Sequence, residues 1–565
     1  MGWHRCLGED DGDNGIPLLT LTFAAILVVA LLAHRAGASA GKASVVSDVL
    51  ESRAVVAVVF AATFGIVWLA WAAWNPLAVV HDEMAYVLQA EIFARGRWSM
   101  PSPPIPAFWE QPHVLVVPTL AGKYFPGHSL VLVAGTLLGW PPLMPLVLQA
   151  TSAAILFVLA RRLANGGAAL LAWVIWLTTP MVLYLGPSYF SEGTTTACWL
   201  AGWYALLRWR EVPETRWLLL VAFFTGWNAI TRPLTGVAYA IPVGIVVLHD
   251  VVRHRHWKDL LLAFALGTAV VSLLFVWSVR TTGDWRLTPW SLYTRQYMPY
   301  DVLGFGMNAT PPTRALTPQL AQVNELYGPF HVTHVPGTLL SSLRERVRYL
   351  LVHLSGASGG VLLVFALLGL VTMRRIVAFA AGTCVLLVVT YLAYGTPPQW
   401  ALYYYETAPV YAFLAAAGIA WAASLIGRPG GMASSSDYAW TSRRWSVALA
   451  GGAVALMLPG TVTLMKLRAQ HVRDRQFVAH FDAQLATISD PRAVVFVRYA
   501  PAHNANAAFV RNVVDPATAR VWSVYDRGPG ENARLLALAA GRVAYLFDEA
   551  RDRTVRYDSS APASP

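Results

Sequence analysis

Long apolar runs recur through this 565-residue chain and leave it few ways to fold. A helix needs roughly 20 apolar residues to cross the hydrocarbon of a bilayer. About twelve candidate spans are present, near 16–34, 54–74, 142–162, 166–185, 190–209, 217–230, 234–249, 258–279, 354–372, 376–394, 401–425 and 446–465. The pair 217–230 and 234–249 reads as two tight spans hinged at Thr231-Arg232-Pro233, the other reading being one helix broken by Pro233. The fold expected is an all-α polytopic membrane protein with a small C-terminal α/β domain. Residues are 56% hydrophobic and 13% charged, against about a quarter charged in soluble domains. That excludes a disordered chain, a coiled coil and a disulfide scaffold. The net charge is +11, but Lys and Arg fall in short groups between the runs, so no nucleic-acid partner is expected. Three cysteines, two of them in apolar runs, leave the redox compartment unread.

Basic residues in short loops orient the spans. Arg35, Lys42 and Arg53 mark one side, with Arg161 and Arg162, Arg208 to Arg216, Arg253 to Lys258, Arg374 and Arg375, and Arg428 to Arg444. That side is expected to be cytoplasmic. The other receives the acidic N-terminal stretch, two long loops (75–141 and 280–353) and the tail from 466. Lys466, Arg468, Arg473 and Arg475 run against the rule, although large domains translocate largely regardless of charge. The first run follows an acidic segment and has no clean cleavage site, so it reads as a retained span. The expected division is a transmembrane domain over 1–465 and an extracytoplasmic α/β domain over 466–565. In the latter Ala493–Arg498, Arg520–Tyr525 and Arg542–Phe547 read as strands and Asn532–Ala540 as a helix. A Gly/Ser linker lies at 427–437, and the last residues from Asp558 are Ser/Ala/Pro-rich.

Chemistry gathers after the second span. Asn75-Pro76 ends it, and His81-Asp82-Glu83 opens a helix of about thirteen residues that Gly96 stops. Asp82 is placed as the N-cap and Glu83 in the first turn. A cap needs one side chain, yet three ligand-type residues stand together at the lip of a span, where charge is costly to desolvate.

A span followed by an acidic pair in a long first outer loop resembles the GT-C membrane glycosyltransferases, which move a sugar from a polyprenyl-phosphate carrier onto an acceptor. The branch resembled is that of bacterial protein-mannosyltransferase-like and lipid A aminoarabinose transferase-like proteins. The likeness continues through Lys123-Tyr124-Phe125-Pro126-Gly127-His128, Arg161-Arg162, Ser188–Glu192, Thr231-Arg232-Pro233 and Tyr403-Tyr404-Tyr405-Glu406, covering roughly 50–425. An extra span (16–34) and the α/β tail depart from it.

The resemblance implies a multi-pass protein of the inner or plasma membrane, with its active site on the extracytoplasmic side. Its partners would be a polyprenyl-phosphate sugar donor, a lipid, glycan or protein acceptor, and membrane lipids. It makes Asp82 the base, with Glu83 beside it as a second catalytic carboxylate. Such a reaction needs no acid on the leaving oxygen, because a lipid phosphate departs as a stable anion; a phosphomonoester's second pKa is about 6. It needs a base for the acceptor hydroxyl and positive charge for the departing phosphate. Arg232, Arg280 and Lys123 are the phosphate candidates, followed by Arg286. Glu83 and Glu192, with His81, are candidates for an optional Mg²⁺ or Mn²⁺. Glu110 and His113 are candidates for the acceptor, Tyr404 and Glu406 for the sugar. Each has a plainer reading: Asp82 a cap, Arg280 an interface residue, Lys123, Glu110 and His113 members of solvated loops, Glu192 and Glu406 first-turn acids, Tyr403–Tyr405 with Trp285 and Trp290 an aromatic belt. A secondary transporter or lipid flippase is the rival function and a scaffold the third. Transporters keep ionisable groups near the bilayer midplane, whereas these spans carry their acids at the ends.

Overall fold

The structure, a computed structural model, describes residues 50–74, 78, 80–306, 308, 310–355, 359–372, 375–426, 458–505 and 507–558. The expected span 16–34, the linker 427–437 and most of the expected span 446–465 lie outside these residues. The chain divides into two compact units. One comprises 1–74, 145–271 and 337–469, the other 75–144, 272–336 and 470–565.

The first unit is helical. Leu143–Leu163, Pro233–His254 and Trp257–Thr282 are long and apolar enough to cross a membrane. Among the described residues these three are fewer than the twelve spans expected, partly because local chemistry interrupts several runs. The expected 166–185 is two helices, Gly166–Thr178 and Pro180–Leu185. Pro180 has no N–H to continue the first and has the preset φ to start the second. The late span starts at Thr407, after a 3₁₀ turn over Ala401–Tyr404. At Thr231-Arg232-Pro233 the two-helix reading is what the structure has. Thr215–Thr231 stops, Arg232 is extended (φ −141°, ψ 95°), and Pro233 opens the next helix.

Small residues set the closest approach in this unit. A Cβ on Gly418 would lie 1.9 Å from the Phe365 carbonyl oxygen, and one on Gly369 2.1 Å from that of Leu414. Helices Gly359–Thr372 and Thr407–Ile426 therefore cross at backbone contact, as small residues permit between helices in lipid. Trp176, Trp199, Trp203, Tyr239 and Leu362 belong to the same core.

The second unit is built from three distant segments. Helix His81–Ala94 ends where Gly96, at φ +70°, gives its N–H to Phe93 O at 2.8 Å, so the predicted glycine stop is present. Strands β1 (Met100–Pro101), β2 (Val114–Leu115) and β3 (Thr119–Gly122) pair antiparallel in the order β1-β3-β2. Gly122 lies against the helix. A Cβ there would sit 2.9 Å from Ala85 O, and its N–H bonds Gln89 Oε1 at 2.9 Å. This contact brings Lys123 and Tyr124 beside the start of the helix.

The tail supplies β4 (Ala493–Arg498), β5 (Val521–Tyr525), helix Pro529–Leu538, β6 (Val543–Asp548) and β7 (Arg553–Arg556). The sheet order is β5-β4-β6-β7, with β4 parallel to both neighbours and β7 antiparallel to β6. Alternation along β4 serves two cores. Val494 and Phe496 pack with Ala85, Leu88 and Trp109, while Val495 and Val497 pack with Phe481 and Phe509. A strand covered on both faces reads as a continuous apolar run, which is how AVVFVR reads. The compact units thus do not divide at 465/466, since the tail from Gln470 shares its unit with the first long loop and with the second as far as residue 336.

Candidate functional site

Charged side chains are buried in each unit. In the second unit, Val80 is the residue before the helix and His81 is its first, so Asp82 lies in the first turn and is not the N-cap. Glu83 is the acid that reaches back, its Oε2 3.4 Å from Val80 N. Freed from capping, the Asp82 carboxylate accepts the Tyr124 hydroxyl at Oδ1, 2.5 Å away. His113 Nε2 stands 3.5 Å from Oδ2, and the Asp82 side chain is 31% exposed. Burial pushes His113 well below the usual imidazole range, with Lys123 adding to the effect. Burial also lowers His81 to about 4, against the opposing pull of the Ala505 carbonyl and Asp82. Both rings are therefore neutral at pH 7, and their centroids are 6.3 Å apart.

Lys123 is buried rather than solvated. Its ammonium is 3.2 Å from Asp301 Oδ2 and lies over the rings of Trp290 (4.4 Å), Tyr293 (4.9 Å) and Tyr124 (5.2 Å). Glu110 is likewise buried, held by Arg314 with Nε at 2.9 Å and Nη2 at 2.6 Å from Oε1. Burial raises its pKa while Arg314 opposes the shift. The Tyr293 hydroxyl accepts the His113 backbone N–H at 2.8 Å. The solvated-loop reading of Lys123, Glu110 and His113 therefore fails, because the loops fold with the tail. Arg280 is exposed in the last turn of its helix; the contact to Ser99 is made by its carbonyl oxygen. Arg286 is exposed and lies over Trp285.

In the first unit, Arg232 Nη1 lies 3.1 Å from Glu192 Oε1 and 3.8 Å from Glu406 Oε1. The extended backbone between two helices is what turns this guanidinium inward. It lies over Tyr403 and Tyr391, at 5.3 and 5.6 Å, and the Thr195 hydroxyl donates to Glu406. Tyr404 is buried, 3.4 Å from Arg346 Nη1. Arg346 also binds the carbonyls of Tyr391 at 2.6 Å and Tyr394 at 2.8 Å. The sequence-predicted residues thus fall into two sets: His81, Asp82, Glu83, Glu110, His113 and Lys123 in one unit, Glu192, Arg232, Tyr404 and Glu406 in the other. Among the described residues no three His, Cys, Asp or Glu side chains form a group that could hold a metal ion. Glu192, one of the expected ligands, faces Arg232 instead. Sequence reasoning missed Asp301, Tyr124, Tyr293, Gln319, Arg314 and Arg346; of these only Tyr124 lay inside a quoted motif.

The described chain is thus mostly helical, with long apolar helices, and carries a partly exposed carboxylate, Asp82, in the first turn of a short helix. Residues 133–279 match the family model described as dolichyl-phosphate-mannose-protein mannosyltransferase. That match bears out the resemblance to the GT-C membrane glycosyltransferases and takes in the motifs at 161–162, 188–192 and 231–233. His81-Asp82-Glu83 lies outside the matched stretch. The chain is also similar to the structure of ArnT from Cupriavidus metallidurans bound to undecaprenyl phosphate, at 15% identity, covering 88% of this chain and 94% of that one, with a TM-score of 0.48. The apo form of that protein gives 14%, 87%, 93% and 0.49. The archaeal oligosaccharyltransferase AglB from Archaeoglobus fulgidus, in complex with an inhibitory peptide and a dolichol-phosphate, gives 11%, 76%, 58% and 0.41. No curated protein sequence matches the chain.

Proposed function

We propose that this chain is an integral membrane glycosyltransferase that moves a sugar from a polyprenyl-phosphate donor to an acceptor hydroxyl on the extracytoplasmic side, with Asp82 as the base. The carrying observation is the condition of Asp82. Asp301 and Glu110 are committed to Lys123 and Arg314, and Glu83 is buried against its own helix start. Asp82 is partly exposed and is met by a phenol and a neutral imidazole. A carboxylate so placed can take up a proton. In the step proposed, Asp82 accepts the acceptor hydroxyl's proton, the freed oxygen pair forms the new bond to the anomeric carbon, and the bond to the phosphate oxygen breaks with its electrons on the phosphate. Lys123, in the same unit, supplies positive charge for that phosphate. Glu83 orients the helix start. No step is routed through a divalent cation.

The family match over 133–279 supports the choice of reaction class. The membrane placement rests on the three long apolar helices and the basic loops. The test is to incubate purified protein with a panel of polyprenyl-phosphate sugars and measure release of free lipid phosphate. A positioned base contributes about 10²–10⁴-fold, so Asp82→Asn should lower release by at least about a hundredfold with expression unchanged. Full activity of Asp82→Asn removes Asp82 from this role. Substrate movement across proteoliposomes without release of lipid phosphate would favour a transporter.

A further inference from the structure

Next to Asp82 in sequence, His81 faces the tail and not the solvent. Its Nε2 is 2.7 Å from Ala505 O. Because the neighbour is a carbonyl and the ring is neutral, Nε2 carries the proton and donates it. Gln319 lies against the same place and is buried. Its amide can be oriented from its partners: the hydroxyls of Tyr499 and Tyr525 stand 3.2 Å from Oε1, and Nε2 donates to Ala507 O at 2.7 Å. The same nitrogen is 3.2 Å from His503 Nε2 and packs 3.4 Å from His81 Nε2, a contact between two donors and not a hydrogen bond. His503 is anchored in turn, its Nδ1 2.8 Å from Glu549 Oε1. Glu549 Oε2 accepts the Ala500 N–H at 2.8 Å.

All these groups belong to the second unit and come from its three segments. The first turn of the His81–Ala94 helix thus meets tail residues Tyr499, His503, Ala505 and Ala507, keyed by one amide from the second long loop. Of these groups His81 adjoins Asp82 and feels its charge. Each fixes a backbone carbonyl or ring that decides where His81, and therefore Asp82, stands.

We propose that Gln319 and His81 are positioning residues, through which the tail holds Asp82 in register for proton transfer. This rests on the reading of Asp82 as the base. Misplacing a reacting group by about 1 Å costs on the order of a hundredfold in rate. Loss of the tether should therefore appear in the chemical step rather than in donor binding.

The test uses the full-length protein in detergent micelles, comparing wild type, Gln319→Leu and His81→Phe. Two quantities are measured: steady-state release of lipid phosphate, and backbone hydrogen exchange over 80–95 and over 493–498. In both variants kcat should fall about tenfold or more with the donor KM within about twofold. Exchange over 80–95 should rise while that over β4 stays as in wild type. The tether is wrong if kcat is unchanged, if only KM moves, or if exchange over 80–95 stays at the wild-type rate. It is also wrong if β4 exchange rises as much, because the residues would then serve the tail's folding alone. Should Gln319→Leu not fold, His81→Phe carries the test by itself. Wild-type activity of Asp82→Asn would overturn the base assignment, while the exchange result still decides whether the tether exists.

Discussion

Asp301→Asn separates paired charge from packing as the thing that holds Lys123. The substitution keeps the shape of the side chain and strands an ammonium whose side chain is 3% exposed, next to a partner that is itself 11% exposed. Removing one member of a buried pair costs about 3–5 kcal/mol, because the remaining charge is left uncompensated. Three aromatic rings stay over the ammonium in the variant, and a cation–π contact is worth about 0.5–2 kcal/mol. The lower end, about 3 kcal/mol, is therefore expected. For a unit of roughly 150–250 residues each kcal/mol moves Tm by about 2–4 °C, so Tm should fall by about 6–12 °C. The assay is thermal unfolding of the purified protein in micelles at one scan rate, followed by near-ultraviolet dichroism of the buried tryptophans. The control is Lys123→Met with Asp301→Leu, which should lie near wild type, since apolar replacement of a buried pair is often neutral. A Tm for Asp301→Asn within about 2 °C of wild type, or a double variant worse than the single one, would refute the reasoning.

Acid should weaken the second unit through His81. Its folded pKa is lowered from 6.5 to about 4, so between those values the unfolded chain binds a proton that the folded chain refuses. Stability is then present above pH 6.5 and lost on the way down, at about 1.4 kcal/mol per unit, or about 3 kcal/mol by pH 4. Denaturant midpoints at pH 7 and 4.5 should show a smaller acid loss in His81→Phe than in wild type, and equal losses would count against the burial argument. In the helical unit, Gly418→Val must push apart two helices in backbone contact, for about 1–3 kcal/mol or more. A variant melting with wild type would show that the crossing yields without cost.

Much of the fold is legible because its signals are local. Arg232-Pro233 announces a joint through proline's missing N–H, and Gly96 announces a stop through its left-handed φ. The strands at 493–498, 521–525 and 543–548 stand out as apolar runs. β7 does not: RTVR is mostly polar and sits at the sheet edge, where only one neighbour is needed. Thr179-Pro180 was an equally local signal, but it sits inside a run so apolar that hydropathy alone carries straight through. The site is legible in its residues and not in their partnerships. Lys123 finds Asp301 178 positions away, and Glu110 finds Arg314 204 away. No spacing rule reaches that far. Glu110, His113 and Lys123 looked solvated because the loop holding them is rich in proline and polar residues, and what dries it is the second long loop, through Asp301, Trp290, Tyr293 and Arg314, together with the tail that packs on Phe108 and Trp109.

The core that steadies Ala85 also contains Leu535, about 450 positions later. At the usual 5–20 residues per second of synthesis, some 20–90 s pass between the emergence of one and of the other. For that interval the stretch carrying Asp82 has left the ribosome without its eventual neighbours. If Asp82 is the base, a chain cut short before residue 470 lacks those neighbours and is expected to show no transfer.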